Sequence, residues 1–139
     1  MEKKELQEKI IAYRMFEARL DGLIKQRDML ISKLAEIQTT LNSIDEIEKS
    51  KEEVLFPLGS EAYTFGKVID NKKMIVEIGA NVALEKTPEE GKEILKKRME
   101  EIEKALNSIQ QNIIETSSAL NQLGPEIQEN IEKDQAQAG

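Results

Sequence analysis

The 139-residue sequence lacks cysteine, histidine and tryptophan, and it has only three prolines and five aromatic residues. Without thiol and imidazole groups, the chain offers no Cys nucleophile, no His general base and no Cys or His metal ligand. We therefore expect a protein that is not an enzyme and that holds no metal and no cofactor. The absence of cysteine also excludes disulfides, which fits a reducing, cytoplasmic location.

The charge balance excludes two further classes of partner. Acidic residues outnumber basic ones by 27 to 20, so the formal net charge is −7. An acidic chain is poorly suited to a phosphate backbone, and we expect no nucleic-acid partner. No apolar run approaches the ~18 residues that a membrane span requires, and no signal-peptide pattern opens the chain. We expect no membrane association either.

Residues 1–53 have the composition and spacing of a coiled-coil helix. They contain no proline and one glycine, and their apolar positions repeat at intervals of four and three, which is the heptad pattern. Arg27 is the only polar member of the main series and either extends its charged end to solvent or sets the register. The series comprises Phe16, Leu20, Leu23, Arg27, Leu30, Leu34, Ile37, Leu41 and Ile44.

Residues 88–133 repeat the heptad pattern. Thr87, Pro88 and Glu90 predict the start of this helix, with Thr87 and Glu90 forming a capping box. Gly124 and Pro125 are expected to interrupt the helix near its far end, and residues 134–139 are expected to form a flexible tail. The series comprises Leu95, Met99, Ile102, Leu106, Ile109, Ile113, Thr116, Leu120, Leu123, Ile127 and Asn130.

The segment 54–87 predicts four short strands in two successive β-hairpins. Asp70-Asn71 and Gly79-Ala80-Asn81 supply residues that tolerate positive φ in turns. Gly66, inside the longest predicted strand, indicates a bulge or a close backbone approach. Two small hairpins cannot bury both faces and are marginal alone in water. We therefore expect hairpins from several chains to join into a shared sheet or barrel.

The predicted fold class is α+β, mostly α. Two helices of similar length, joined by one small insert, predict a long antiparallel coiled-coil hairpin with both termini at one end. The two β-hairpins join the helices and are expected to oligomerise into a shared sheet or barrel. The heptads alone do not distinguish pairing within one chain from pairing between chains, and the similar lengths favour the former.

Apolar residues cluster near the free ends of the two helices. Ile10 and Ile11 are adjacent, so they cannot both fill one seam. The cluster is interpreted either as ordinary seam packing to the last turn or as an apolar docking patch. Its members are Leu6, Ile10, Ile11, Tyr13, Leu123, Ile127 and Ile131.

The stretch from Ala105 to Pro125 carries a single charge, at Glu115. Its remaining polar positions are Asn, Gln, Ser and Thr. This surface is either a lightly charged inner wall of an assembly or a weakly specified part of the coiled coil.

The central segment resembles the α-type subunits of archaeal prefoldin, which have two β-hairpins where β-type subunits have one. The similarity is carried by the order helix, two hairpins, helix over residues 1–133. The specific motifs are FPLGSxAY at 56–63, GKV at 66–68, MIVEIGAN at 74–81 and VALEK at 82–86.

The resemblance implies a hexamer of two α-type and four β-type subunits, with a β-barrel platform from which six coiled coils project. It implies an ATP-independent chaperone that holds non-native proteins and passes them to a group II chaperonin. The apolar cluster at the helix ends would then contact clients. The residues implied as barrel and subunit contacts are Tyr63, Phe65, Val68, Ile75, Val76, Ile78, Val82 and Leu84.

A structural scaffold or tether is the competing hypothesis. Such a protein would use the same heptads to set the distance between partners, and it would show no preference for unfolded over folded proteins.

Overall fold

The computed structural model describes residues 2–49 and 52–138, and it confirms the order helix, two hairpins, helix. Helix α1 ends at Lys49, before the predicted boundary at 53, and residues 50 and 51 lie outside the described residues. The elements are α1 (Glu2–Lys49), β1 (Val54–Gly59), β2 (Ala62–Gly66), β3 (Met74–Gly79), β4 (Val82–Lys86) and α2 (Pro88–Ala138).

Helix α2 runs without interruption through Gly124 and Pro125 to Ala138, so the predicted break was wrong. Part of the usual penalty of an internal proline is a clash with the Cβ of the preceding residue, and Gly124 has no Cβ. The segment 134–138, predicted as a flexible tail, is also helical. It contains Gln and Ala, which favour helix, and no glycine or proline.

The chain divides into two compact units. The first contains the described residues up to 32 together with those from 103 onward, and the second contains the described residues from 33 to 102. In the first unit, Thr116 of the predicted seam is buried despite its hydroxyl. Arg27, also in the seam, turns its guanidinium to Asp28, with an Nη2–Oδ1 distance of 3.2 Å, so its charged end reaches the surface.

The second unit has an aliphatic core between the two helices. Met74 of β3 and two residues of α2, Met99 and Ile102, pack against its edge. The first residue of β3 is therefore packed against the helices. The core consists of Ile37, Leu41, Ile44 and Leu95.

Lys92 connects the two helices in this unit by ion pairs. Its Nζ atom lies 2.6 Å from Asp45 Oδ1 and 2.7 Å from Glu48 Oε1, both on α1. The hydrogen bond to Asp45 raises the pKa of Lys92 and lowers that of Asp45. With the shared core, these contacts show that α1 and α2 pair within one chain.

The predicted capping box is confirmed at the start of α2. The Glu90 backbone N–H donates to Thr87 Oγ1, and the Thr87 backbone N–H donates to a Glu90 carboxylate oxygen, each at 3.2 Å. The hydrogen bond from the Thr87 backbone lowers the pKa of Glu90 below its ordinary value of 4.5. The box fixes the direction in which α2 leaves β4.

A Glu90→Gln variant is expected to lose less stability on acidification than the unmodified chain. Because the pKa of Glu90 is lowered by folding, this group stabilises the folded state above pH 4.5, and the contribution is lost as the pH falls through the folded-state value. Glutamine keeps the box but does not titrate. Urea midpoints at pH 7 and pH 3 measure the difference. Glu89→Gln removes an equal charge from the same turn, and a matching change there would contradict the assignment to the box.

The two β-hairpins have the same internal geometry. In the first, Val54 pairs with Gly66, and the register shifts by one residue between Pro57 and Gly59. In the second, Met74 pairs with Lys86, and the shift lies between Glu77 and Gly79. Each position of the second hairpin follows its counterpart by twenty residues, as Gly79 follows Gly59.

Turns close each hairpin, and a further turn at Asn71 and Lys72 connects the two hairpins, as predicted. Positive φ occurs at Ser60, Glu61, Ala80 and Asn81 but not at Asp70 or Asn71, so left-handed backbone is used at the 79–81 turn and not in the connection. Instead, Asp70 Oδ1 accepts a hydrogen bond from the Lys72 backbone N–H at 2.8 Å. This side chain orders the connection between the hairpins without left-handed backbone.

Gly66 ends β2 where the Phe56 ring crosses it. A Cβ at this position would lie 2.8 Å from the nearest ring carbon, which confirms the predicted close approach. The bulge itself lies in β1, at the register shift after Pro57. Gly66 therefore allows the Phe56 ring to pack closely, while Gly59, with φ of 109°, allows the backbone to turn.

Gly66→Ala is expected to destabilise the chain by about 1–3 kcal/mol, because the Phe56 ring must move to admit a methyl group. Gly22→Ala is the matched control. A Cβ at Gly22 meets nothing within 4 Å, so alanine there should stabilise helix α1 by about 0.5–1 kcal/mol. Urea unfolding measures both changes. Equal stability of the two variants would contradict the packing argument.

Candidate functional site

The free ends of α1 and α2 meet in the first unit. Lys9 Nζ lies 3.5 Å from Glu126 Oε2, which places these positions side by side. Four residues further along α1, the Tyr13 ring lies 3.6 Å from the point where a Cβ of Gly124 would stand. The tyrosine ring therefore lies at van der Waals distance from α2 at Gly124. These contacts run in opposite directions along the two helices, so the pairing is antiparallel here.

A groove of about 350 Å³ opens at this end. It is an apolar recess with charged side chains from α1 at its margin, and it holds no arrangement suited to bond chemistry. Its shape suits a short apolar segment of another chain. The lining residues are Ile10, Tyr13, Arg14, Glu17, Gly124, Ile127 and Ile131.

Four of the seven residues predicted for the helix ends line this groove: Ile10, Tyr13, Ile127 and Ile131. The other three, Leu6, Ile11 and Leu123, do not. Leu6 and Leu123 are half-buried, while Ile11 is mostly exposed on another side of α1. The heptad pattern identified the seam, but it did not show on which side of the seam the groove opens.

The sequence reasoning missed Arg14, Glu17 and Gly124 as groove residues. Glu17 follows Tyr13 by four positions, so the two are neighbours on the surface of α1, and Arg14 lines the groove as well. The glycine was assigned to a helix break and not to a binding surface. Gly124 could not be identified as a groove residue from the sequence, because its contact with Tyr13 of α1 forms only in the folded chain.

A second candidate surface is the apolar face of the first hairpin. Leu55 pairs with Phe65, and Pro57 pairs with Tyr63, so all four side chains lie on one face of the sheet. All four are exposed, and Phe65 retains 74% of its accessible area. A face with this much apolar exposure is typical of a protein–protein interface.

The second hairpin also carries exposed apolar residues. Ile75 retains 66% of its accessible area, and three further predicted contacts, Ile78, Val82 and Leu84, are also exposed. Val76 was predicted as a subunit contact, but it is only 6% exposed within the chain itself. It alternates with Ile75 and shares the face of Met74, which packs against the helical core. Within the chain, Val76 therefore packs inward.

Val68 lies outside the strands, in the connection between the hairpins, and is half-buried. The sequence reasoning missed three exposed apolar residues in the same region: Leu55, Leu58 and Ile69. In the sequence, these residues belong to apolar clusters next to the turns. The clusters were interpreted only as evidence for strands and not as evidence for an exposed interface.

The hairpins also leave sheet edges open. Each described sheet has two strands, β1 with β2 and β3 with β4, so each strand has one edge without a neighbour in the described chain. Such edges accept strands from other chains. Exposed faces and open edges together form a surface suited to assembly.

Comparison with known proteins identifies the family. The profile of the prefoldin subunit family matches residues 16–133, which is most of the chain. The chain belongs to the prefoldin subunit family. Members of this family are chaperone subunits and not enzymes, and they form hetero-oligomers with other prefoldin subunits.

Archaeal relatives match along nearly the whole chain. The prefoldin subunit alpha of Methanococcus aeolicus is 30% identical over 138 residues, covering 98% of this chain and 94% of that protein. The prefoldin subunit alpha of Pyrococcus horikoshii is 29% identical over 129 residues, covering 91% and 87%. The predicted resemblance to prefoldin α subunits is confirmed by these matches.

The fold also matches a solved structure. A chain in the cryo-EM structure of filamentous PFD from Methanocaldococcus jannaschii superposes with a TM-score of 0.71 and 24% sequence identity. The match covers 86% of this chain and 98% of that chain. Neither helix described for this prefoldin subunit contains a segment apolar and long enough to cross a membrane.

Proposed function

We propose that this prefoldin subunit holds unfolded proteins at the free ends of its paired helices, without ATP, and delivers them to a group II chaperonin. The observation that carries the proposal is the groove between the helix ends. It combines aliphatic side chains from both helices with an aromatic ring, and it is open to solvent. Such a recess can accept apolar side chains that a folded protein keeps buried.

The groove is small, so each contact is weak. A cavity of about 350 Å³ accommodates a few side chains and not a folded domain. Several subunits presenting such ends would hold one client through several weak contacts, because linked sites raise the effective concentration of each other. Weak contacts also separate one at a time. A client can therefore be passed to a stronger acceptor without an energy source.

The hairpins supply the assembly that this mechanism requires. We infer that the face formed by Leu55, Phe65, Tyr63 and Pro57, with the exposed residues of the second hairpin, joins hairpins of single-hairpin β-type subunits in a barrel. The complex would contain two α-type and four β-type subunits and would act in the cytoplasm. The exposed apolar face and the open strand edges support this arrangement.

A truncation tests client holding directly. Removing residues 1–11 and 124–139 cuts both helices at the same level, because Lys9 contacts Glu126 and Tyr13 contacts Gly124. The truncated chain should still assemble with a β-type partner, since the hairpins are untouched. Light scattering of a denatured client should show that suppression of aggregation is lost. Equal protection by truncated and intact complexes would refute the assignment to the helix ends.

The scaffold hypothesis predicts a different result in the same assay. A tether would not distinguish a denatured client from its folded form, and the intact complex would then fail to suppress aggregation at all. Mass measurement of the complex co-expressed with a single-hairpin partner tests the assembly separately. A mixed hexamer is the expected product, and a solitary folded monomer would contradict the proposal.

A further inference from the structure

The two β-hairpins share one backbone design but differ in which face is apolar. Each strand residue of the second hairpin lies twenty positions after a counterpart in the first. Successive side chains of a strand point to opposite faces. We call the face with the odd-numbered strand residues the odd face, and the other the even face. Leu58 and Ile78, at the register shifts, are counted with neither face.

The odd face is apolar in the first hairpin but carries two carboxylates in the second. Glu77 occupies the position of Pro57, and Glu85 occupies the position of Phe65. Both glutamates are exposed, and Glu85 Oε1 lies 3.9 Å from Lys73 Nζ in an ion pair that is open to water. A dry contact on this face would remove the water from two carboxylates, which is unfavourable.

The even face shows the reverse distribution. In the second hairpin Val76 is only 6% exposed, and Val82 and Leu84 continue the same face with 46% and 39% of their accessible area exposed. Their counterparts in the first hairpin are Ala62 and Thr64, which have smaller side chains. The even face of the second hairpin is thus an apolar surface that begins at the helical core and continues into solvent.

The large apolar residue on the even face of the first hairpin is used within that hairpin. The Phe56 ring is half-buried and crosses Gly66, where a Cβ would lie 2.8 Å from it. On the odd face of the same hairpin, Leu55 and Phe65 retain 57% and 74% of their accessible area. The exposed apolar area of the first hairpin is therefore concentrated on its odd face.

We propose that the two hairpins bind partner subunits with opposite faces, the first with its odd face and the second with its even face. The occupant in each case is a β-hairpin of another prefoldin subunit. Members of the family form hetero-oligomers, and each hairpin has strand edges without a neighbour in the described chain. The partner of the second hairpin presents apolar side chains to Val82 and Leu84 and leaves Glu77 and Glu85 in water. The inference rests on the proposed assembly and adds which face each hairpin uses.

Glu77 and Glu85 determine specificity in this arrangement. Because the two backbones match, a partner that fits the odd face of the first hairpin would otherwise fit the odd face of the second. The carboxylates exclude it, so each partner has one place. Ile75 pairs with Glu85 and lies at the margin of the contact. Arg98 of α2 donates to the backbone carbonyl of Glu77 and so holds this strand against the helix.

Counterpart substitutions test the even face in the complex co-expressed with a single-hairpin partner. Val82→Glu should raise the dissociation constant of the complex by about tenfold or more, because it places a charge in the contact. Ala62→Glu introduces the same charge at the counterpart position and should leave the constant unchanged. Mass photometry over a dilution series measures both. Leu84→Glu and Thr64→Glu form a second pair, and circular dichroism checks that every variant keeps its helices. Equal effects within the pairs would overturn the proposal.

Neutral variants test the odd face of the second hairpin. Glu77→Gln with Glu85→Gln should change the dissociation constant by less than about twofold, because both side chains remain in water. A large loss of affinity would reveal basic partner groups opposite the carboxylates, and a large gain would reveal a dry contact. Either result would overturn the proposal. Glu93→Gln with Glu100→Gln, at exposed positions of α2, controls for the change in net charge.

The unmodified chain separates this inference from the proposed function. If it forms no complex with a single-hairpin partner, the proposed assembly and the face assignment are both refuted. If it assembles normally while Val82→Glu and Ala62→Glu weaken the complex equally, only the face assignment is refuted. The expected result is normal assembly of the unmodified chain and of Ala62→Glu, with weakened assembly of Val82→Glu.

Discussion

Replacing both Phe65 and Ile75 with glutamate is expected to prevent assembly with partner subunits while both helices remain folded. The two side chains are the most exposed of the apolar residues predicted as subunit contacts, at 74% and 66% of their accessible area. Neither belongs to the aliphatic core of the described residues or to its packed neighbours, so their replacement is expected to leave the monomer folded. In an assembled barrel, each glutamate would lose its water, at several kcal/mol per ion. Assembly should weaken by at least about a hundredfold.

Native mass spectrometry of the co-expressed subunits measures this effect. The matched control is Lys67→Ala with Lys72→Ala, which makes the net charge more negative by the same amount at exposed positions between the hairpins. The control should assemble normally, and both variants should keep the helical circular dichroism of the unmodified chain. Assembly of the double glutamate variant would contradict the assignment of this face to subunit contacts.

The second large effect is expected at the helix ends. Ile127→Gln with Ile131→Gln removes two aliphatic side chains from the groove without adding charge or disfavouring helix. Client affinity at each end should fall by about tenfold or more. Since clients are held by several ends together, losses at each end combine. Suppression of aggregation at limiting chaperone concentration should be almost abolished, while mass measurement shows an unchanged complex.

The control for this variant uses exposed isoleucines outside the groove. Ile31→Gln with Ile114→Gln makes the same chemical change at exposed positions of α1 and α2. It should protect clients as well as the unmodified complex. Equal loss in both double variants would show that general surface hydrophobicity, and not the groove, holds the client.

Local rules explain which features the sequence predicted well. The heptad spacing located the seam even at a polar position. Thr116 belongs to the predicted series, and it is buried. The capping box was predictable because Thr87 and Glu90 interact within one turn. Gly66 was singled out correctly as a point of close approach. Each of these depends on residues near one another in the chain.

The sequence was wrong, or left the answer open, where local effects compete and where a residue's surroundings come from distant parts of the chain. Pro125 stays inside α2, next to a glycine whose missing Cβ eases the local clash. Val76 is buried because its face of β3 turns toward the helical core, whereas alternation alone does not say which face turns inward. Leu6, Ile11 and Leu123 do not line the groove, and the heptad spacing alone does not say on which side of the seam the groove opens.

Two heptad helices, two hairpins between them and the family could be predicted from the amino-acid sequence, because periodicity, capping and turn chemistry act over a few residues. Which side of each element is covered became clear from the folded chain. In the folded chain, Lys92 pairs the two helices by ion pairs, and a groove opens beside Tyr13. Those outcomes depend on contacts between residues far apart in the chain, whose positions are set by packing and not by local spacing.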